Sequence, residues 1–131
     1  MISPKSTEHY LEAIFLLSRS GVSVRSVDVA KELQYSKASV SVAIKNLRTC
    51  GHIMVSNDGH ITLTESGVAI AQKIYDRHML MADWLVYLGV DRETAVNDAC
   101  KIEHDISDES FVAMQKHIEE WKHTLINRRA G

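Results

Sequence analysis

Cys100, Glu103 and His104 lie in the run Cys100-Lys101-Ile102-Glu103-His104, so that a thiol, a carboxylate and an imidazole recur at offsets of three and four. On a helix turning about 100° per residue, Glu103 and His104 stand one turn beyond Cys100, roughly 60° to one side and 40° to the other. Three donors on so narrow an arc suit a divalent transition ion. His9 and Glu12, in Glu8-His9-Tyr10-Leu11-Glu12, are a second polar pair at helical i,i+3 spacing. His78, in Arg77-His78-Met79-Leu80, falls within the apolar stripe Ile70, Ile74, Met81, Leu85 and Leu88. Together these segments offer the donor mix of an iron, manganese or zinc site rather than a calcium or magnesium site. A plainer reading stands beside this one: Cys100 as a small buried hydrophobe, Glu103 as a solvated acid, and His78 as a hydrogen-bonded core histidine.

The elements that must position these residues are mostly helical. Ser3-Pro4 reads as an N-cap and first helical position, opening a helix over 4–19 that stops near Gly21. Ser26 is expected to cap a short helix through Val27, Val29, Ala30 and Leu33. Ser36 is expected to cap a second one carrying Val40, Ile44 and Leu47 and ending at Gly51. His52 to Ser56, the turn Asn57-Asp58-Gly59, and His60 to Leu63 then predict a β-hairpin. From Thr64 a helical pattern runs to Leu88-Gly89. Asp91 and Ser107 are expected to cap helices over about 92–105 and 108–123, and the tail after Asn127 is expected to be loose.

Three helices followed by a hairpin make a winged helix-turn-helix, whose second motif helix enters the major groove while the hairpin lies along the backbone. Ser36, Lys37, Ser39 and Ser41 then sit at the exposed start of the recognition helix, where hydroxyls can bond phosphates or base edges. Ala38 and Val42 can meet thymine methyls. Lys45, Arg48 and Arg25 read as phosphate contacts, which position without specifying sequence.

Composition narrows the classes further. At 131 residues, 45% of them hydrophobic, the chain can bury a core in one domain or two small ones. No apolar run reaches the roughly 18 residues of a membrane helix, so the expectation is a cytoplasmic protein with no membrane partner. Cys50 and Cys100 form no C-x-x-C pattern, which argues against a disulfide framework and a structural zinc finger. Residues 1–63 carry seven Lys/Arg against five Asp/Glu, and residues 64–131 eight against twelve. The two halves are therefore expected to do different jobs. Ser36 to Gly51 holds Lys37, Lys45 and Arg48 and no acid, as a helix facing a polyanion would.

Several stretches carry a resemblance: Thr7 to Ile14, Ser36 to Leu47, Thr62-Leu63-Thr64-Glu65-Ser66-Gly67, Arg77-His78, and Asp98 to Ser107. Through them the chain resembles, nearly end to end, the metal-dependent repressors of the diphtheria toxin repressor and manganese transport regulator type. The resemblance implies a mainly α protein in which an N-terminal winged helix-turn-helix, residues 1–70, is joined by a long helix to an all-α metal-binding and dimerisation domain, residues 71–131. It implies a homodimer that binds a palindromic double-stranded operator when metal loads. It implies the short, two-domain type, without the third domain of the long members.

The resemblance also implies a ligand set. Cys100, Glu103 and His104 match the main site of the iron type, and Glu12 and His78 match manganese-type ligands. His9 stands where the iron type has methionine and the manganese type aspartate, and Cys100 replaces a manganese-type glutamate. The set is a hybrid. Ala82 and Val96 stand where iron-type members place a glutamate and a histidine of a second site, which argues against a complete ancillary site. A thiolate and up to three imidazoles favour Fe²⁺, with Mn²⁺ next and Co²⁺ or Zn²⁺ able to substitute. No organic cofactor is implied. Val42 and Ala38 replace a glutamine and a proline of the iron-type pattern, so operator preference does not carry over. The competing readings are a winged-helix factor answering to a non-metal ligand or partner, and a metallohydrolase, which lacks a poised base, a nucleophile motif or a phosphate-cradling loop.

Overall fold

Pro4, with φ already near the helical value, opens α1, Pro4–Arg19. A computed structural model describes the backbone of residues 4–130 and the side chains of residues 6–103 and 105–125. α2, Ser26–Leu33, and α3, Lys37–Thr49, follow, then strands β1, Ile53–Val55, and β2, Ile61–Leu63. α4, Glu65–Tyr87, α5, Arg92–Asp105, and α6, Asp108–Ala130, complete the order. This is the mainly α, wing-bearing architecture expected from the sequence. The chain divides into two units between Ile74 and Tyr75, a point inside α4.

In the first unit α1 packs against α2, α3 and β2. Tyr10, Leu11, Ile14, Val24, Val29, Val40, Ile44, Leu47, Ile53 and Ile61 form its buried core. The joint of the helix-turn-helix is tight because Gln34 takes the left-handed conformation, φ 57°, and Tyr35 N–H returns to the Ala30 carbonyl at 3.1 Å. Ser36 caps α3 as expected, its Oγ accepting from Ser39 N–H at 3.2 Å. α2 differs: Arg25 is the N-cap and Ser26 the first helical residue. The reason is reciprocal bonding by Asp28, whose carboxylate accepts the Arg25 N–H at 2.9 Å.

Gly51, φ 80°, ends α3. Its N–H bonds the Arg48 carbonyl at 3.1 Å while His52 N–H reaches Leu47 at 3.0 Å, the pair of bonds that satisfies the last carbonyls of a helix. The antiparallel wing then pairs Ile53 with Leu63 and Val55 with Ile61. Thr64 caps α4, its Oγ1 accepting from Gly67 N–H at 3.3 Å and donating to the Gly51 carbonyl at 2.6 Å. Gly67 is needed where it stands: a Cβ there would lie 2.1 Å from the His52 carbonyl oxygen.

The second unit is three helix segments around Met81, Ala82, Ala95, Ala99, Phe111 and Ile118, walled by Trp84, Leu85, Ile102, Met114 and Trp121. α4 ends at Gly89 by the same bonding device as α3. Asp91 takes the N-cap position of α5, but its carboxylate makes no capping bond. Ser107 does cap α6, accepting from Ser110 N–H at 3.1 Å. α6 runs on to Ala130 rather than stopping at 123, because no glycine or proline interrupts it before Gly131. Asp83 ties α4 to its neighbours, pairing with Arg92 at 2.9 Å and Lys122 at 3.4 Å. Among the described residues, no helix is long and apolar enough to cross a membrane.

Candidate metal centre and nucleic-acid interface

Two of the six candidate ligands meet in the second unit. On α5 the buried positions recur every four residues as Ala95, Ala99 and Glu103, so that Glu103 continues an alanine stripe facing the core. At the end of that stripe His78 Nε2, from α4, contacts Glu103 Oε2. His78 is 8% exposed and Glu103 6%. A carboxylate this deep in an apolar layer is costly unless a hydrogen-bonding partner or a cation meets it, and the imidazole supplies the first.

The other candidates are placed as follows. Cys100, one residue past the buried Ala99, is exposed, so it is not the small buried hydrophobe of the plainer reading. The His104 side chain lies outside the described residues. On α1, Glu12 is buried at 9% exposure and His9 is half-buried. Among the described residues, no three His, Cys, Asp or Glu side chains gather as a metal site would require. Ala82 is fully enclosed and Val96 is a partly exposed apolar residue, so neither position offers a donor. An imidazole and a carboxylate in contact within a dry layer do fit a transition ion, which favours such mixed donors.

The nucleic-acid candidates are exposed residues of the first unit, most of them on α3. Val40, Ala43, Ile44 and Leu47 face its core. Ser36, Lys37, Ala38, Ser39, Ser41, Val42, Lys45 and Arg48 are all exposed. Val42 is 60% exposed, so its apolar side chain is open to a partner. Arg25 is exposed too, but it is engaged: Nη1 donates to the Asp58 carbonyl at the wing tip, and Nη2 lies 3.7 Å from the Asp58 carboxylate. Sequence reasoning missed Asp58, which sits 33 residues from its partner and announces only a turn. It also missed His60, whose Nδ1 lies 2.5 Å from Ser23 Oγ beside the turn of the wing. The Asp58 carboxyl is held below its ordinary range, first by the hydroxyl of Ser56 and then by the His60 backbone and the Arg25 charge.

The comparisons match this division of labour. The family model described as "Iron dependent repressor, N-terminal DNA binding domain" matches residues 4–61. That described as "Iron dependent repressor, metal binding and dimerisation domain" matches residues 64–125. The "Uncharacterized HTH-type transcriptional regulator MJ0568" of Methanocaldococcus jannaschii is 35% identical over 120 residues, 90% of this chain and 96% of that protein. "Transcriptional regulator MntR" of Escherichia coli O157:H7 is 35% identical over 114 residues, 84% of this chain and 74% of that protein. A solved structure titled "Manganese-dependent transcriptional repressor complex with manganese" superposes with TM-score 0.70 at 26% identity, covering 86% of this chain and 52% of that one. With both halves matched in this order over most of its length, the chain belongs to the iron-dependent repressor family, as a DNA-binding domain followed by a metal-binding and dimerisation domain.

Proposed function

We propose that this protein is a transcriptional repressor whose dimer grips operator DNA when a divalent transition ion is bound. The observation that carries the reading is the buried contact of His78 with Glu103, inside the segment matched by the metal-binding and dimerisation domain. His78, Cys100, Glu103 and His104 of the second unit, with His9 and Glu12 of α1, would hold the ion. When bound, it supplies the positive charge that draws carboxylate, thiolate and imidazole donors from separate helices to one centre. The donor mix favours Fe²⁺, with Mn²⁺ next.

The chain's own residues do the rest. Lys37, Lys45 and Arg48 neutralise phosphates, and Ser36, Ser39 and Ser41 offer hydroxyls at the start of α3. Ala38 and Val42 present apolar surface to thymine methyls. Ion binding raises operator affinity only by favouring the DNA-competent state, and by linkage the operator tightens ion binding by the same factor.

The test is fluorescence anisotropy on an operator duplex selected from a random-sequence pool, titrated with Fe²⁺ under anaerobic conditions and separately with Mn²⁺. Glu103→Ala and His104→Ala are each expected to abolish metal stimulation while sedimentation still shows a folded dimer. Undiminished stimulation in both variants would reject the ligand assignment. A wild type indifferent to every ion would favour a non-metal effector.

A further inference from the structure

Arg25 occupies an unusual position for a residue with the makings of a phosphate contact. Its backbone is fixed at the start of α2: the N–H donates to Asp28 at 2.9 Å, and the carbonyl accepts from Asp28 and Val29 at 3.0 and 3.2 Å. The neighbouring Val24 carbonyl accepts the Ile61 N–H at 2.8 Å, which joins this stretch to the wing's second strand. From that anchored stem the guanidinium reaches over the wing tip and addresses the carbonyl of Asp58 with one nitrogen and its carboxylate with the other. The tip is shaped to receive it. Gly59 takes φ 86°, the left-handed conformation that closes the turn, and lies beside the guanidinium, with Nη1 3.4 Å from where a Cβ would stand. Ser56 donates its hydroxyl to the Asp58 carboxylate and accepts the His60 N–H at 3.0 Å, so the carboxylate is oriented before the arginine meets it.

We propose that Arg25 is a positioning residue of the DNA interface: through Asp58 its guanidinium straps the wing tip to the start of α2 and fixes where the hairpin meets the duplex, instead of contacting a phosphate. This rests on the DNA-binding reading above. Its physical core is charge balance. If Arg25 turned to a phosphate it would exchange one anion for another and leave Asp58, 71% exposed, as an unpaired negative charge beside the DNA backbone. Keeping the pair costs no like-charge repulsion and leaves the wing's backbone ordered before encounter. The fork matters as much as the charge, because an ammonium is a point donor that does not span a carbonyl and a carboxylate together.

The experiment measures affinity of the metal-loaded wild type and of Arg25→Ala, Arg25→Lys, Asp58→Ala and Arg48→Ala for the selected operator over a range of salt. Arg25→Ala and Arg25→Lys are both expected to bind about tenfold more weakly, the scale of one lost charge-assisted hydrogen bond, with the salt slope unchanged. Arg48→Ala, a phosphate contact, is expected to lower that slope by about 0.9. Asp58→Ala carries the sharpest expectation: removing an acid beside DNA ordinarily tightens binding, yet here it weakens it, and the amides of Gly59 and His60 exchange faster in the DNA-free protein. Tighter binding by Asp58→Ala, or near wild-type affinity of Arg25→Lys with a reduced slope in Arg25→Ala, overturns the strap and leaves the DNA-binding reading intact. A wild type that selects no duplex overturns both.

Discussion

Gly67 and His52 approach so closely that a single methyl group on the glycine would sit 2.1 Å from the histidine's carbonyl oxygen. That carbonyl also accepts the Thr64 N–H at 3.0 Å, so it cannot simply withdraw. Intrinsic preference says the opposite of what the contact says: alanine in a helix is favoured over glycine by about 1 kcal/mol. Overpacking against backbone wins, and Gly67→Ala is expected to destabilise the first unit by about 1–3 kcal/mol. Urea denaturation would show a lower midpoint at unchanged slope; a raised midpoint would mean that the start of α4 can shift freely.

Ser36 separates capping from DNA contact. Its Oγ accepts from Ser39 N–H and lies 2.9 Å from Ser39 Oγ. Ser36→Ala is expected to cost about 1 kcal/mol of stability, the ordinary value of an N-cap. Ser36→Asp keeps the cap and should keep the stability, while its negative charge at the end of α3 proposed to face DNA is expected to weaken operator binding. Thermal melts beside anisotropy titrations would check both halves, and equal melting losses in the two variants would contradict the capping role.

The acid limb of the wing is set by Asp58. A carboxyl held below its ordinary value of 3.8 favours the folded wing above that pH, and the contribution is lost as pH falls through the lower folded value. Since the Ser56 hydroxyl is the foremost cause, Ser56→Ala should raise the Asp58 titration midpoint more than Arg25→Ala does. Carboxyl-carbon NMR titration reads this directly. The reverse order would place the guanidinium first.

Phe111 is 2% exposed, and the Arg77 guanidinium lies over its ring at 4.4 Å. Truncation removes both the packing and the cation–π contact, so Phe111→Ala is expected to cost about 3–5 kcal/mol. Phe111→Leu, closer in volume, should cost about 1.5 kcal/mol or less. Chemical denaturation of the metal-free protein measures the two, and a loss under about 1 kcal/mol for the alanine variant would show a site able to collapse.

What was legible in the sequence was what is decided locally. Ser36 and Ser107 as caps, Gly51 and Gly89 as helix ends, and the Asn57-Asp58-Gly59 turn each depend on bonds spanning a few residues, and each was readable. The cap of α2 falls on Arg25 and not on Ser26, because the deciding group, Asp28, bonds backward to Arg25. The long-range pairs gave no local sign. Nothing near Arg25 points to Asp58, and nothing near Gly67 points to the His52 carbonyl. The contact of Glu103 with His78 lies in between: the donor arc through Cys100 is visible in the sequence, but it is the alanines at 95 and 99 that mark the side of α5 that turns inward.

Ala82 lies fully enclosed in the same layer as Met81, Phe111 and Ile118. A carboxylate installed there by one codon change would arrive in an oily, filled space, and the fold would suffer before any cation could reward it. Building a second site at this position therefore demands that the surrounding bulk be pared back first. The order in which such changes could be made is constrained by packing.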